Sequence, residues 1–170
     1  MAGALSSAMT DAVTIRRAKP ADMPTVGRLG ALLVRTHYDF DQQRFIAPTP
    51  STSKAYGSYL GSLLDDSKIV ILVAEQSGAV VGYAYAGIEG TDYMALRGPA
   101  GAIYDILVDP PHRRHGIGRK LLDATIDALK TLGAPRVVLS TAERNADAQR
   151  LFEGAGFRRT MIEMTRELNG

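Results

Sequence analysis

The sequence contains no cysteine. A disulfide scaffold, a thiolate metal site and a cysteine nucleophile are thereby excluded. Histidine is scarce, with His37, His112 and His115 the only three. A histidine-rich metal centre is not expected, and no metal ligand is assigned. No apolar stretch approaches the roughly 18 residues that a membrane span needs, so no membrane partner is expected. Residues 1–12 lack a basic start followed by an apolar run. They read as a disordered tail rather than a signal peptide, and a cytoplasmic location follows by default. An excess of one charge is also missing, the net being +2 over 170 residues. So small an excess does not build a stripe along a duplex, and no nucleic-acid partner is assigned.

What is present suits one globular domain with a real core, at 45% apolar and 22% charged residues. Val13–Arg17 alternates as a short strand. Pro20 and Asp22 open a helix through about Arg35, with Met23, Val26, Leu29 and Leu33 on one face. Residues 36–53 read as a loop, because Pro48 and Pro50 oppose a long helix. Lys54–Leu64 is a second helix. Ile69–Glu75 and Val80–Ile88 form a hairpin across Ser77-Gly78. Glu89–Gly101 reads as a loop, and Ala102–Val108 as a central strand stopped by Asp109-Pro110-Pro111. Gly118–Leu132 is an amphipathic helix, ended by Gly133 and Pro135. Arg136–Thr141 is a buried strand, Asn145–Ala155 a short helix, and Phe157–Leu168 a final strand. The reading is one α/β or α+β domain around a single sheet.

The strongest chemical signal lies between the central strand and the helix that follows it. Arg113, Arg114, Arg119 and Lys120 cluster with no acid between Pro110 and Leu122. Gly116 and Gly118 let the backbone turn sharply and approach a ligand. Successive amides opening a helix form an anion nest, which the helix dipole reinforces. A diphosphate fits that description; a tight turn with no ligand is the plain alternative. A P-loop is excluded because no Gly-Lys-Ser/Thr follows, and a dinucleotide fingerprint because the third glycine is missing.

Arg113-x-x-Gly116-x-Gly118 in this setting resembles the acetyl-CoA signature of the GNAT N-acetyltransferase superfamily. Asn145-x-x-Ala148-x-x-Leu151-Phe152-Glu153-x-x-Gly156-Phe157 is similar to its C-terminal block. The resemblance implies a domain over residues 13–170, with a mixed, mostly antiparallel sheet flanked by helices. It implies acetyl-CoA as co-substrate and a small-molecule or peptide amine as partner. The backbone of Ile106, Leu107 and Val108 would meet the pantetheine arm. The turn Arg113, Arg114, His115, Gly116, Ile117, Gly118 and Arg119 would hold the pyrophosphate. Asn145 would reach the pantetheine or acetyl region, and it equally suits an N-cap. Phe152 stands where many relatives carry a tyrosine acid, and it cannot donate a proton. Ser140 stands where the ribosomal-protein alanine acetyltransferases carry a glutamate. These relatives often form homodimers through their C-terminal strands, where this chain has Met161, Ile162 and Met164.

Catalysis requires a base for the ammonium and donors for the oxyanion. Without cysteine or a Gly-x-Ser-x-Gly elbow, direct transfer in a ternary complex is expected over an acyl-enzyme. Asp105, a carboxylate in an apolar strand, is the leading polar candidate; a structural carboxylate is the alternative. Tyr104 is a second candidate, as a donor or as core packing, and a regular strand would turn it to the opposite face. His37 and Tyr38, expected between the first two helices, and Glu89, after the third strand, are candidates for the acceptor site. Histidine is the side chain suited to act as base near neutral pH. A non-catalytic acyl-CoA sensor is the competing function, kept open by Phe152 and Ser140.

Overall fold

In a computed structural model, residues 12–169 are described. The tail expected over residues 1–12 therefore lies, apart from Ala12, outside the described residues. Strand β1 (Thr14–Arg17) leads through a short 3-10 turn into helix α1 (Met23–Phe40). The turn is closed by the Lys19 amide donating to the Asp22 carboxylate at 2.7 Å. Arg16 also grips Asp22, at 2.7 Å, and holds its carboxyl below the usual carboxylate range. Helix α2 (Thr52–Ser62) follows, then β2 (Ile69–Gln76), β3 (Ala79–Glu89) and β4 (Ala100–Val108). Helix α3 (Ile117–Thr131), β5 (Val137–Leu139) and α4 (Ala146–Gly154) complete the order.

The five strands form one sheet in chain order, antiparallel from β1 to β4 and parallel between β4 and β5. This is the mixed, mostly antiparallel sheet expected. Strand β2 is buried on both faces because its pleat splits one apolar run. Val70, Leu72 and Ala74 join the core under α3, while Ile71 and Val73 join the core under α1 and α2. Helix α3 presents Ile117, Leu121, Leu122, Thr125 and Leu129 to the sheet, the spacing of an amphipathic stripe. Its polar member is neutralised locally, since Thr125 Oγ1 donates to the Leu121 carbonyl at 2.7 Å. Helices α1 and α2 cross closely at two glycines. A Cβ on Gly27 would lie 3.0 Å from Gly57 N, and one on Gly57 would lie 2.7 Å from the Met23 carbonyl.

Two expectations are corrected. Helix α1 runs to Phe40, not Arg35, so His37 and Tyr38 sit on a helix and not between helices. The opposing prolines, Pro48 and Pro50, lie too far downstream to stop it. The second correction is Phe157–Leu168, which is not a strand in this structure. The segment has strand-like alternation but no ladder partner, and a strand without backbone partners is not stable. Side chains tether it instead: Arg159 pairs with Glu153 at 2.7 Å, and Arg44 on the far side pairs with Glu163. Met161, Ile162 and Met164 are left exposed.

Candidate active site

Strand β4 is fully paired with β3 on one side but meets β5 only over Gly101–Ile103. From Tyr104 to Val108 its other edge has no neighbouring strand among the described residues, so a wedge opens between β4 and β5. The β3–β4 register shifts at the mouth of this wedge. Asp105 lies opposite Tyr85 and Ile103 opposite Ala86, which leaves Tyr104 as the extra residue of a bulge. The bulge corrects the regular-strand expectation for Tyr104. Its ring packs on Tyr85, centroids 4.7 Å apart, on the same face that Asp105 shares with Tyr83 and Tyr56.

Asp105 is buried, and its carboxylate is clamped by two tyrosine hydroxyls. Tyr83 Oη donates to Oδ2 at 3.1 Å, and Tyr56 Oη donates to the same oxygen. No donor among the described residues reaches Oδ1. Burial pushes the carboxyl above the ordinary carboxylate range, against the downward pull of the two hydroxyls. Burial also drives both phenols upward, so they stay donors at physiological pH. Tyr56 reaches Asp105 from α2 only because α1 carries glycine at residue 30. A Cβ there would lie 2.5 Å from Tyr56 Cε1 and 2.7 Å from Cγ.

A cavity of about 90 Å³ lies at the wedge. Asp105 and Tyr104 line it from β4, Leu33 and His37 from α1, and Ser140, Thr141, Asn145, Ala148 and Phe152 from beyond β5. Thus the structure brings His37 to Asp105, although 68 residues separate them in sequence. His37 Nδ1 lies 2.8 Å from the Leu33 carbonyl. A carbonyl only accepts, so in the neutral ring Nδ1 carries the hydrogen and Nε2 keeps a lone pair. Phe40 and Phe45 pack edge-on against the ring at 6.0 and 5.0 Å. Asn145 Oδ1 accepts from the Ala148 amide at 3.2 Å, the N-cap role, while its side chain still borders the cavity. Phe152 is buried beside it, with its ring 6.0 Å from Phe157.

The turn before α3 is open to solvent. Arg114 (φ 66°) and Gly116 (φ 76°) both adopt left-handed backbone. Six successive amides, Arg114 to Arg119, donate to no acceptor among the described residues. Only Ile117 of these turns its side chain inward. Gly118 has ordinary helical backbone, and a Cβ there would make normal contacts at 3.5 and 3.8 Å with Leu151 and Val108. Its value is therefore open space rather than conformational freedom. Arg113 Nε donates to the Val108 carbonyl at 2.8 Å and ties the turn to the end of β4. Arg119 is held by Asp123 at 3.0 Å and by the Gly154 carbonyl at 3.2 Å. His115 lies against the His112 carbonyl at 3.4 Å.

Other sequence candidates are placed elsewhere. Tyr38 is half-buried and does not line the cavity. Glu89 stands apart from it, accepting from Tyr104 Oη at 2.8 Å and pairing with Arg97 at 2.5 Å. Burial, with that acceptor bond, raises the Tyr104 phenol to about 12. Sequence reasoning missed Tyr56, Tyr59, Tyr83 and Tyr85. Their signal was legible as two tyrosines one helical turn apart and two on one face of a strand. Of the seven tyrosines in the chain, five gather around Asp105, which makes this side of the sheet aromatic. Among the described residues no helix is long and apolar enough to cross a membrane, and no cluster of metal-ligating side chains occurs.

The comparisons agree with this architecture. The chain is similar to mycothiol acetyltransferase of Thermobispora bispora, 36% identical over 96 residues, 54% of this chain and 31% of that protein. It is also similar to the L-methionine sulfoximine/L-methionine sulfone acetyltransferase of Salmonella typhimurium, 34% identical over 88 residues, 51% of this chain and 49% of that protein. The matches thus span about a third to a half of these relatives' length. A mutant of the BH1408 protein from Bacillus halodurans has the same fold, with TM-score 0.77 at 22% identity over 91% of this chain and 99% of that one. The sequence profile described as the acetyltransferase (GNAT) family matches residues 33–157, and the chain belongs to that family.

Proposed function

We propose that this chain transfers an acetyl group from acetyl-CoA directly to a primary amine, with Asp105 holding the ammonium and taking its proton. The observation that carries the proposal is the buried carboxylate itself. Its Oδ2 is occupied by two tyrosines, its Oδ1 takes no donor among the described residues, and the residue lines the cavity where β4 parts from β5. A buried carboxylate favours a cationic guest, because an unpaired charge there is costly. Six unpaired amides at an open helix start suit a diphosphate. Along the edge of β4 that meets no strand among the described residues, the Ile106 backbone and the Val108 amide suit the amides of a pantetheine arm, while Leu107 faces β3 and the Val108 carbonyl is taken by Arg113; the Asn145 side chain borders the same space.

The chemistry follows from these placements. Asp105 removes a proton from the ammonium, and the nitrogen lone pair attacks the thioester carbonyl. The C–N bond forms as the C–S bond breaks, the nitrogen's second proton passes to solvent, and the sulfur leaves as thiolate. A free thiol has a pKa near 8.5, so the thiolate is a tolerable leaving group without a protein acid. That accommodates Phe152 in the tyrosine position. His37 lines the same cavity, and its Nε2 lone pair suits taking the proton onward. Two proton acceptors at the cavity favour an enzyme over the sensor reading. The test is CoA-thiol release with acetyl-CoA and a panel of primary amines. Release above the no-amine background is expected, and Asp105→Asn is expected to lower it by about 10²- to 10⁴-fold. Tight acetyl-CoA binding with no release from any amine overturns the proposal in favour of a sensor.

A homodimer belongs to the same reading, supported by the exposed Met161, Ile162 and Met164. Light scattering that gives the mass of one chain at micromolar concentration removes it.

A further inference from the structure

Beside Asp105 lies a surface of tyrosine rings that the transfer step does not use. Tyr59 and Tyr104 are 54% and 42% exposed. Tyr85 joins them, with its ring centroid 4.7 Å from Tyr104 and 6.4 Å from Tyr59. The hydroxyls of Tyr59 and Tyr85 lie 3.3 Å apart. Each ring arrives by the same element that serves Asp105. Helix α2 carries Tyr59 one turn after Tyr56, and β3 carries Tyr85 two residues after Tyr83, on the same face. Tyr104 also lines the cavity, so the ring surface continues the space that Asp105 faces.

At the far end of this surface, two acids among the described residues are drawn to Arg97. Glu89 Oε2 pairs with Arg97 at 2.5 Å, and Oε1 accepts the Tyr104 hydroxyl at 2.8 Å. The next acid, Asp92, accepts from the amides of Met94 and Ala95 within its own loop and stands 3.9 Å from the same Arg97. A second ammonium on the acceptor would have to compete with the Arg97 guanidinium for these acids. A flat apolar ring would meet three tyrosine rings, the partners that aromatic groups favour beyond simple burial.

We propose that the acceptor is a monoamine bearing an aromatic ring, its nitrogen on Asp105 and its ring against Tyr59, Tyr85 and Tyr104. This rests on the transferase reading of the same cavity. A diamine, which needs an anion at each end, is the competing class.

The experiment has two readouts. Isothermal titration with CoA-saturated protein compares 2-phenylethylamine, 2-cyclohexylethylamine and 1,4-diaminobutane. Thiol release from acetyl-CoA is measured with the same three amines. The phenyl compound is expected to bind about 2- to 12-fold more tightly than its saturated counterpart, the span of one aromatic contact. Tyr59→Leu is expected to lower that ratio, with Tyr85 and Tyr104 still in place, and Tyr59→Phe to preserve it. Equal affinities for the two ring compounds, tightest binding of the diamine, or a ratio unchanged in Tyr59→Leu overturns the inference. Thiol release without ring preference removes this inference and leaves the transferase. Ring preference in binding without thiol release does the reverse.

Discussion

Replacing Gly30 by alanine sets two forces of opposite sign against each other. In an exposed helix, glycine to alanine stabilises by about 0.5–1 kcal/mol, because glycine loses more backbone freedom on folding. Here the new methyl would stand 2.5 Å from Tyr56 Cε1 and 2.7 Å from Cγ. Carbon atoms sit comfortably at about 3.5–4.0 Å, so the ring must retreat by roughly 1 Å or more. Overpacking of that kind costs about 1–3 kcal/mol. The retreat also takes the Tyr56 hydroxyl off the Asp105 carboxylate. A bond to a charged group is worth about 1.5–3 kcal/mol. The clash wins, and Gly30→Ala is expected to destabilise by about 2–5 kcal/mol after the propensity gain is subtracted. Urea unfolding followed by circular dichroism measures this as a lowered midpoint. Tyr56→Phe should lose the hydrogen bond alone. The double variant should lose less than the sum, because both changes remove the same bond. A Gly30→Ala protein as stable as the parent would refute the argument that this residue makes room for the clamp on Asp105.

Further expectations follow from the same site. Burial raises the Asp105 carboxyl above its ordinary value of 3.8, so the folded chain holds a proton that the unfolded chain has released. Stability contributed by this group is complete below 3.8 and is lost as pH rises through the native value. Asp105→Asn should thus stabilise the fold at pH 7 and change it little below pH 3.8, as thermal melts at the two pH values will show. The same protonation should lower kcat/KM on the acid side of its profile, and an unchanged acid limb in Asp105→Asn would remove Asp105 as the base. Gly116→Ala, at a φ of 76°, should cost about 1–2 kcal/mol and weaken CoA binding by calorimetry. Gly118→Ala should not lower the melting temperature, since its Cβ makes only ordinary contacts and alanine favours the helix. Asn145→Ala should cost about 1 kcal/mol through its cap alone, with any extra loss of acetyl-CoA affinity reporting the second role.

Much of this was legible in the residues. The α3 stripe, the hairpin at Ser77-Gly78 and the glycine turn after β4 rest on local rules of periodicity, backbone freedom and helix starts, and all occur where those rules put them. Asp105 stood out because a carboxylate in an apolar strand demands a partner. Tyr56 and Tyr83 did not stand out, and His37 was a candidate without any sign that it meets Asp105. Tyr56, Tyr83 and His37 come from α2, β3 and α1, and nothing local couples them to β4. The bulge that turns Tyr104 onto the Asp105 face is a property of pairing with β3 and cannot be read from one strand. Phe157–Leu168 failed for the same reason, since alternation names a strand but only a neighbouring backbone completes one.

The sequence by itself determined most of the elements and the open glycine turn before α3, because each depends on contacts a few residues apart. Only the tertiary structure decided the clamp on Asp105, the wedge between β4 and β5 and the tyrosine surface. Those depend on chain segments tens of residues apart meeting at distances set by packing.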